Sequence, residues 1–380
     1  MKTPQSPFDV VIIGAGIIGS MIAHIAQSRG LNAALLGINK VGQVSSSAVG
    51  IVRDHVFNLP TRKIGNVAAA DSQTQYKDLS TKILNEIGLS SGFKELPMVV
   101  LSESEHQSES FDELLKQSLN DLNQWQLLTP EQIREKVPQL RNRPYRSLYT
   151  SATTLIDSQL LCDALYLMIT KHGGWVNRSL HAVRPIFENN RTVGVKAIQG
   201  GKSWNLETQQ VVVATGIWST ELLPKTLNIP ITQKYAHALK VPNTSQLNNV
   251  IVRDKMTIIP LDSNHLLVTS IEQPTQKHNT DEAYYRQYLL DEITQIIPSQ
   301  KGNTVEQHSI SHLSATPDGL PVVGKTTVDG LQLATGHDAL GITLACETAS
   351  TIVGNIIDKT TTNIDSRFSP LRYLEHTQVT

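Results

Sequence analysis

Gly14-Ala15-Gly16-Ile17-Ile18-Gly19 is the segment whose residue types and spacing most constrain the chemistry of this 380-residue chain. Gly14 permits a tight turn, Gly16 lets a backbone approach a pyrophosphate, and Gly19 allows a helix to pack closely on a strand. A helix beginning at Ile17-Ile18 would turn free N–H groups and a partial positive charge toward the phosphates. The expected chemistry is dinucleotide binding. The pattern lacks one customary part. An acidic residue usually ends the following strand and holds the ribose hydroxyls, but Leu36-Gly37-Ile38-Asn39 stands there, with glycine at the acid's place. The ribose is then held by Asn39, by backbone groups or by water.

The elements around this turn agree with it. Val10–Ile13 is a continuous apolar run, as expected of a strand buried on both faces. Ile18–Ser28 is patterned as a helix, and Gly30 follows as its C-terminal glycine. Asn32–Leu36 is a second strand, so the chain opens on a βαβ unit with a right-handed crossover. Further on, Tyr76, Leu79, Ile83, Leu84 and Ile87 recur at helical spacing. Thr129 and Pro130 read as the N-cap and first position of another helix, and Asp157–Thr170 as one more. Val183–Ile198 and Asn205–Val213 alternate as paired strands. Met256–Pro260 and Leu266–Ile271 form an antiparallel pair across Asp262-Ser263-Asn264. Leu331–Ala334, Gly336-His337 and a helix from about Ile342 to Ile357 repeat the strand–turn–helix pattern.

Composition narrows the class. Hydrophobic residues make up 39% and charged residues 18%, enough for a substantial core, and the formal net charge of −1 leaves no basic footprint for nucleic acid. Cys162 and Cys346 provide neither a disulfide framework nor a metal spacing. His308 and His312, four apart on one strand face, lack further ligands, so no metal is expected. Phe8–Ile25 is broken by glycines and reads as strand, turn and helix rather than an export signal. No uninterrupted apolar stretch of about 18 residues suggests a membrane span, and the expected compartment is cytoplasmic.

Nucleotide-type segments therefore occur at the start, middle and end of the chain. The later ones are Val211–Ser219 (VVVATGIWS), Thr316–Gly324 (TPDGLPVVG) and Ala334–Ala345 (ATGHDALGITLA). With GAGIIGS and in this order, they resemble the D-amino-acid oxidase-like FAD-dependent oxidoreductases, which include glycine oxidase, sarcosine oxidase and D-amino-acid dehydrogenase. The resemblance spans nearly the whole chain. It implies an α/β fold: a doubly wound, Rossmann-like FAD-binding domain with an inserted α+β substrate domain containing a mixed or antiparallel sheet. The expected division is 1–80, 146–225 and 315–365 for the FAD domain, 81–145 and 226–314 for the substrate domain, and 366–380 for a loose polar tail.

The resemblance also implies site residues. Val183 would meet adenine through its backbone, and Thr215-Gly216 would lie near the dinucleotide. Ser45, Ser46 and Ser47 belong to a small-residue loop crossing the flavin, unless that loop is simply solvated. Gly336-His337 and the turn through Leu340 would lie at the pyrimidine edge of the flavin. A helix starting near Gly341-Ile342 would stabilise negative charge there. Arg53 corresponds to an arginine that grips substrate carboxylate in the sarcosine-oxidase branch; a structural ion pair is the competing reading. His312 is a candidate substrate contact or an ordinary polar contact, and Tyr235 and Lys255 are weaker candidates. Relatives acting on amino acids carry a second carboxylate-binding arginine before the Thr-Pro-Asp segment, where this chain has Leu313. The covalent branch carries a cysteine just before that segment; none is present, so FAD is expected to be non-covalent.

Together these features imply oxidation of the C–N bond of a small amine or amino acid, with oxygen or another carrier reoxidising the flavin. Two alternatives stay open, the first of them motivated by Leu313. One is a flavoprotein that oxidises or oxygenates a side chain of a partner protein. The other is a non-catalytic flavin subunit of a dehydrogenase complex.

Overall fold

The computed structural model describes residues 7–38, 43–46, 49–52, 72–102, 111, 115, 125–141, 146–272, 281–358 and 366–373. Asn39, Ser47 and Arg53 lie outside the described residues.

The strand Val10–Ile13 is central to a six-stranded sheet. Ala33–Leu36 and then Trp175–Asn177 lie parallel on one side of it. Val211–Val213 and Leu331–Thr335 lie parallel on the other, and Val322–Lys325 closes that edge antiparallel. Both faces of this sheet are covered, so its strands are apolar throughout rather than alternating. Val10, Ile12, Ala33 and Leu35 pack on the helix side. Val11, Ile13, Ala34 and Leu36 pack on the other, with the antiparallel meander Ala182–Glu188, Arg191–Gln199 and Lys202–Glu207. The helix layer consists of Ile17–Ser28, Ser158–Lys171 and Gly341–Ile357.

The last helix is apolar and largely buried. With the turn before it, Asp338–Ile357 is long and apolar enough to span a bilayer by length and composition. Its apolar character serves packing: Ala345, Ala349, Ile352 and Val353 are fully buried in the same cluster as Ile22 and Ala23 of the first helix. The helix Ser72–Ile87 also forms where expected, but Leu84 is 58% exposed and lies off the buried face set by Tyr76 and Ile83.

The second architectural unit is a nine-stranded mixed sheet assembled from distant segments. Val49–Val52 and Arg146–Asp157 join it, although both were expected in the nucleotide-binding part. The strand Thr232–Pro242 pairs antiparallel with both Gln307–Ala315 and His265–Glu272. One sheet face is capped by the helix Glu282–Ile296, which buries Leu289 and Ile293 against Leu239, Val241 and Val268. The helix Pro130–Lys136 packs on the same side, and Thr129 caps it as expected, its hydroxyl accepting from the Gln132 N–H at 3.3 Å.

The expected loose tail is partly folded. Ser366–Phe368 and Pro370–Tyr373 form short helical turns, Phe368 is buried, and the Arg372 guanidinium grips the Asp318 carboxylate at 2.8 Å.

Candidate functional site: a dinucleotide cleft opening onto a sheet face

The strand order of the six-stranded sheet reverses at Val10–Ile13, which leaves a crevice beyond the carboxyl ends of that strand and Val211–Val213. Gly14 and Ala214 meet at this point. A Cβ on Gly14 would lie 2.2 Å from the Ala214 carbonyl oxygen, and Gly14 itself has φ +120°. A Cβ on Gly19 would lie 1.8 Å from the Gly14 carbonyl oxygen, so the helix can approach the strand this closely only as glycine. The helix Ile17–Ser28 starts at Gly16, which offers no side-chain cap. The Ser45 hydroxyl accepts from the Ile17 N–H at 3.0 Å, an oxygen acceptor at the place where a phosphate oxygen is expected. The glycine cradle and a helix start without a cap from its own N-cap residue fit a dinucleotide pyrophosphate.

A cavity of about 930 Å³ runs from this crevice to the large sheet. Gly14, Gly16, Ile17, Ile18 and Ser45 line its first part. Val183, expected against adenine, and Thr215-Gly216 line the same wall. The Thr335 hydroxyl donates to the Gly216 carbonyl at 2.9 Å, which ties the middle and last nucleotide segments together. Gly19, Ser46, Gly336 and Leu340 support the cavity from outside its wall; Leu340 is a buried core residue.

At the far end, His337, Gly341 and Ile342 contribute to the wall. Gly341 begins a helix with no side-chain cap, so a second helix start faces the cavity. His337 is buried, and its Nε2 lies 3.0 Å from the Thr348 hydroxyl. Burial lowers its pKa to about 4, which keeps the imidazole neutral near pH 7. Asp338 adopts φ +51°, and its carboxylate pairs with the Lys234 ammonium.

The large sheet supplies the opposite wall. Ala236, Ser311, Thr269, Thr257 and Ile259 all line the cavity. Cross-strand pairing puts Ala236 opposite Ser311, and Thr257 opposite Thr269, on one sheet face. His312 pairs opposite Tyr235, one residue out of phase with Ser311, and its side chain shares the helix-covered face with Leu239. Its ring meets Tyr235 at 5.4 Å and Trp218 at 6.4 Å. The expected substrate contact thus lines the same cavity, although its strand position alternates with the face that carries Thr257 and Thr269. His308 shares the His312 face as expected, and its Nε2 lies 3.2 Å from His237 Nδ1. Lys255 is exposed in the hairpin turn after Val250–Arg253. Leu313 is buried at the cavity wall, and its cross-strand neighbour is Lys234, the partner of Asp338. Among the described residues, no group of three or more His, Cys, Asp or Glu could hold a metal ion.

Asp318 organises the Thr-Pro-Asp turn beside the last nucleotide segment. Burial opposes its ionisation, but hydrogen bonds from Arg372, Tyr373, the Leu320 N–H and Thr316 outweigh that and hold the carboxyl well below the usual range. A folded pKa below the unfolded value near 3.9 adds stability that is present above that value and lost as pH falls beneath it. Arg372→Ala should therefore be less stable than the parent at pH 6, and the gap should narrow below about pH 4. Thermal unfolding across pH checks this; a gap independent of pH would make Arg372 a packing residue only.

Sequence reasoning missed one wall of the cavity. Gln159, Cys162, Asp163 and Tyr166 reach it from the helix Ser158–Lys171, and Arg178 reaches it from the turn after the strand Trp175–Asn177. Only the absent acid at position 37 signalled that such a group was needed.

The comparisons with known proteins agree with this geometry. The profile of the family described as FAD dependent oxidoreductase matches residues 9–353, and the chain belongs to that family. Its cofactor is accordingly FAD. The bifunctional protein ThiO/ThiG of Trichormus variabilis is 24% identical over 379 residues, covering 98% of this chain and 56% of that protein. The chain thus spans about half the length of the ThiO/ThiG relatives it matches. Glycine oxidase of Bacillus subtilis is 24% identical over 356 residues, covering 93% of this chain and 94% of that one. In fold, the chain is similar to iminodiacetate oxidase from Chelativorans sp. BNC1, with TM-score 0.82, 16% identity, and coverage of 95% of this chain and 98% of that one.

Proposed function

We propose that the protein oxidises the C–N bond of an amine or amino acid, with FAD bound non-covalently along the cavity. The observation that carries this reading is continuity: one cavity joins the glycine cradle at Gly14–Ile18 to the sheet face bearing Thr257, Thr269 and Ser311. Bound FAD would supply a two-electron acceptor for the hydride on the carbon next to nitrogen. The chain's own residues bind and orient. Thr257, Thr269 and Ser311 offer hydroxyl oxygens that can accept from a substrate N–H, and Ala236 and Ile259 hold water away from it. The uncapped start of the Gly341 helix stabilises negative charge at the cavity's end, and neutral His337 adds no competing cation there. Burial pushes both thiols, Cys162 and Cys346, up to about 12, which disfavours a thiolate attachment to the cofactor.

The named activities of the glycine oxidase and iminodiacetate oxidase relatives support small amino-acid substrates. Leu313 on the wall supports a second reading, in which the amine belongs to a side chain of a partner protein and brings no free carboxylate. Anaerobic mixing with glycine, sarcosine, proline derivatives and D-amino acids separates the two. Bleaching of the flavin absorbance by any of these amines is expected. No bleaching across the panel would sink small-amine oxidation and leave the protein-substrate reading. Oxygen or another carrier then reoxidises the flavin, and reoxidation rates in air against a quinone or dye distinguish them.

A further inference from the structure

Position 37 cannot hold the customary ribose-binding acid in this fold. A Cβ there would lie 2.7 Å from the Ala15 Cβ, inside the glycine turn itself. The Gly37 backbone is engaged on both sides by the turn that follows Trp175–Asn177. Its N–H donates to the Asn177 carbonyl at 2.8 Å, and its carbonyl accepts from the Leu180 N–H at 3.1 Å. That turn carries Arg178, whose Cα would lie 3.4 Å from a Cβ on residue 37. The Arg178 guanidinium stacks on the Tyr166 ring at 3.8 Å, and the Tyr166 hydroxyl donates to the Ala15 carbonyl. The same guanidinium donates to Asp163 Oδ1 at 2.6 Å, and the Gln159 amide donates to Asp163 Oδ2 at 2.9 Å. Gly37, Ala15, Tyr166, Arg178 and Asp163 thus form one contiguous patch of the cavity wall.

We propose that the Asp163 carboxylate, held in place by Arg178 and Gln159, takes the adenosine ribose hydroxyls of the bound dinucleotide in place of an acid at position 37. The inference rests on the FAD reading above. Its chemistry is that of the missing residue. A ribose diol presents two O–H donors, and a carboxylate has about four acceptor positions. Arg178 and Gln159 occupy one on each oxygen, which leaves acceptors for the diol. Asp163 is half-exposed on the cavity side, with 43% of its side chain accessible, so it can reach a ligand without rearranging the core. The acid has moved from the second strand to a neighbouring helix, and the arginine that orients it comes from the turn bonded to Gly37.

The test uses the full chain freed of flavin, with ADP and 2′,3′-dideoxy-ADP as calorimetric probes. The parent protein is expected to bind ADP roughly tenfold or more tighter than the dideoxy compound. In Asp163→Ala that preference should vanish, because the partner of the hydroxyls is gone. Asp163→Glu should restore part of it. A variant that weakens both probes equally, keeping the preference, would show a structural role and overturn the proposal. So would a parent protein that binds both probes equally. A parent that binds ADP with the preference but takes up no FAD would leave the ribose assignment standing and remove the flavin reading. Binding of neither ADP nor FAD would remove both.

Discussion

Gly19→Val is expected to purify without flavin. The mechanism is steric: a Cβ at residue 19 meets the Gly14 carbonyl oxygen at 1.8 Å, far inside any non-bonded contact. The helix must then retreat from the strand, which carries its N-terminal N–H groups and Gly16 away from the pyrophosphate position. The flavin-to-protein ratio is expected to drop roughly tenfold or more. Gly30→Ala supplies the control. Gly30 has positive φ, at +83°, unlike Gly19, and a Cβ there meets nothing within 4 Å. That change should cost about 1–2 kcal/mol of backbone strain and leave flavin content unchanged. If Gly19→Val retains flavin as the parent does, the cradle does not hold the cofactor.

Acid should destabilise the fold through its buried histidines before its carboxylates protonate. Burial lowers His337 from the ordinary 6.5 to about 4, and burial, with Lys82 adding to it, lowers His24 likewise to about 4. Both groups have folded pKa values below their unfolded ones, so the unfolded chain binds protons first. The stability each contributes is complete above about pH 6.5 and is lost as pH falls from there toward 4. The difference corresponds to on the order of 3 kcal/mol for the fully buried His337. His337→Gln should be less stable than the parent at pH 7, since the Thr348 contact changes, yet lose less stability between pH 6.5 and 4.5. Thermal unfolding of both proteins at the two pH values measures this. An imidazole resonance of His337 titrating near 6.5 would refute it.

Local features were legible in the sequence where a short segment decides the outcome. The apolar run Val10–Ile13 forms a strand buried on both faces, the glycine turn follows it, and Thr129 caps its helix. The order of three nucleotide-type segments was enough to place the family. What escaped depends on contacts between distant segments. The nine-stranded sheet draws on strands from Val49 to Ala315, so no window of sequence contains its pattern. The contacts of the His312 ring with Tyr235 and Trp218 at the cavity wall depend on its register opposite Tyr235, and shifting the pairing by one residue would turn it to the other face. Leu84 fits the helical spacing of its neighbours, but the packing partners of Ser72–Ile87 leave it outside. The glycine at position 37 was visible as a departure. Its cause, the Ala15 methyl against it, and the Asp163–Arg178 pair beside it come from segments more than 100 residues apart, brought together only by the fold.

The most direct measurement of the central claim is the absorbance spectrum of the purified protein before and after denaturation. The account predicts a yellow protein with a flavin spectrum, whose denatured supernatant contains free FAD and whose protein pellet is colourless. A colourless protein that cannot take up added FAD would contradict it, as would flavin that stays attached to the denatured chain.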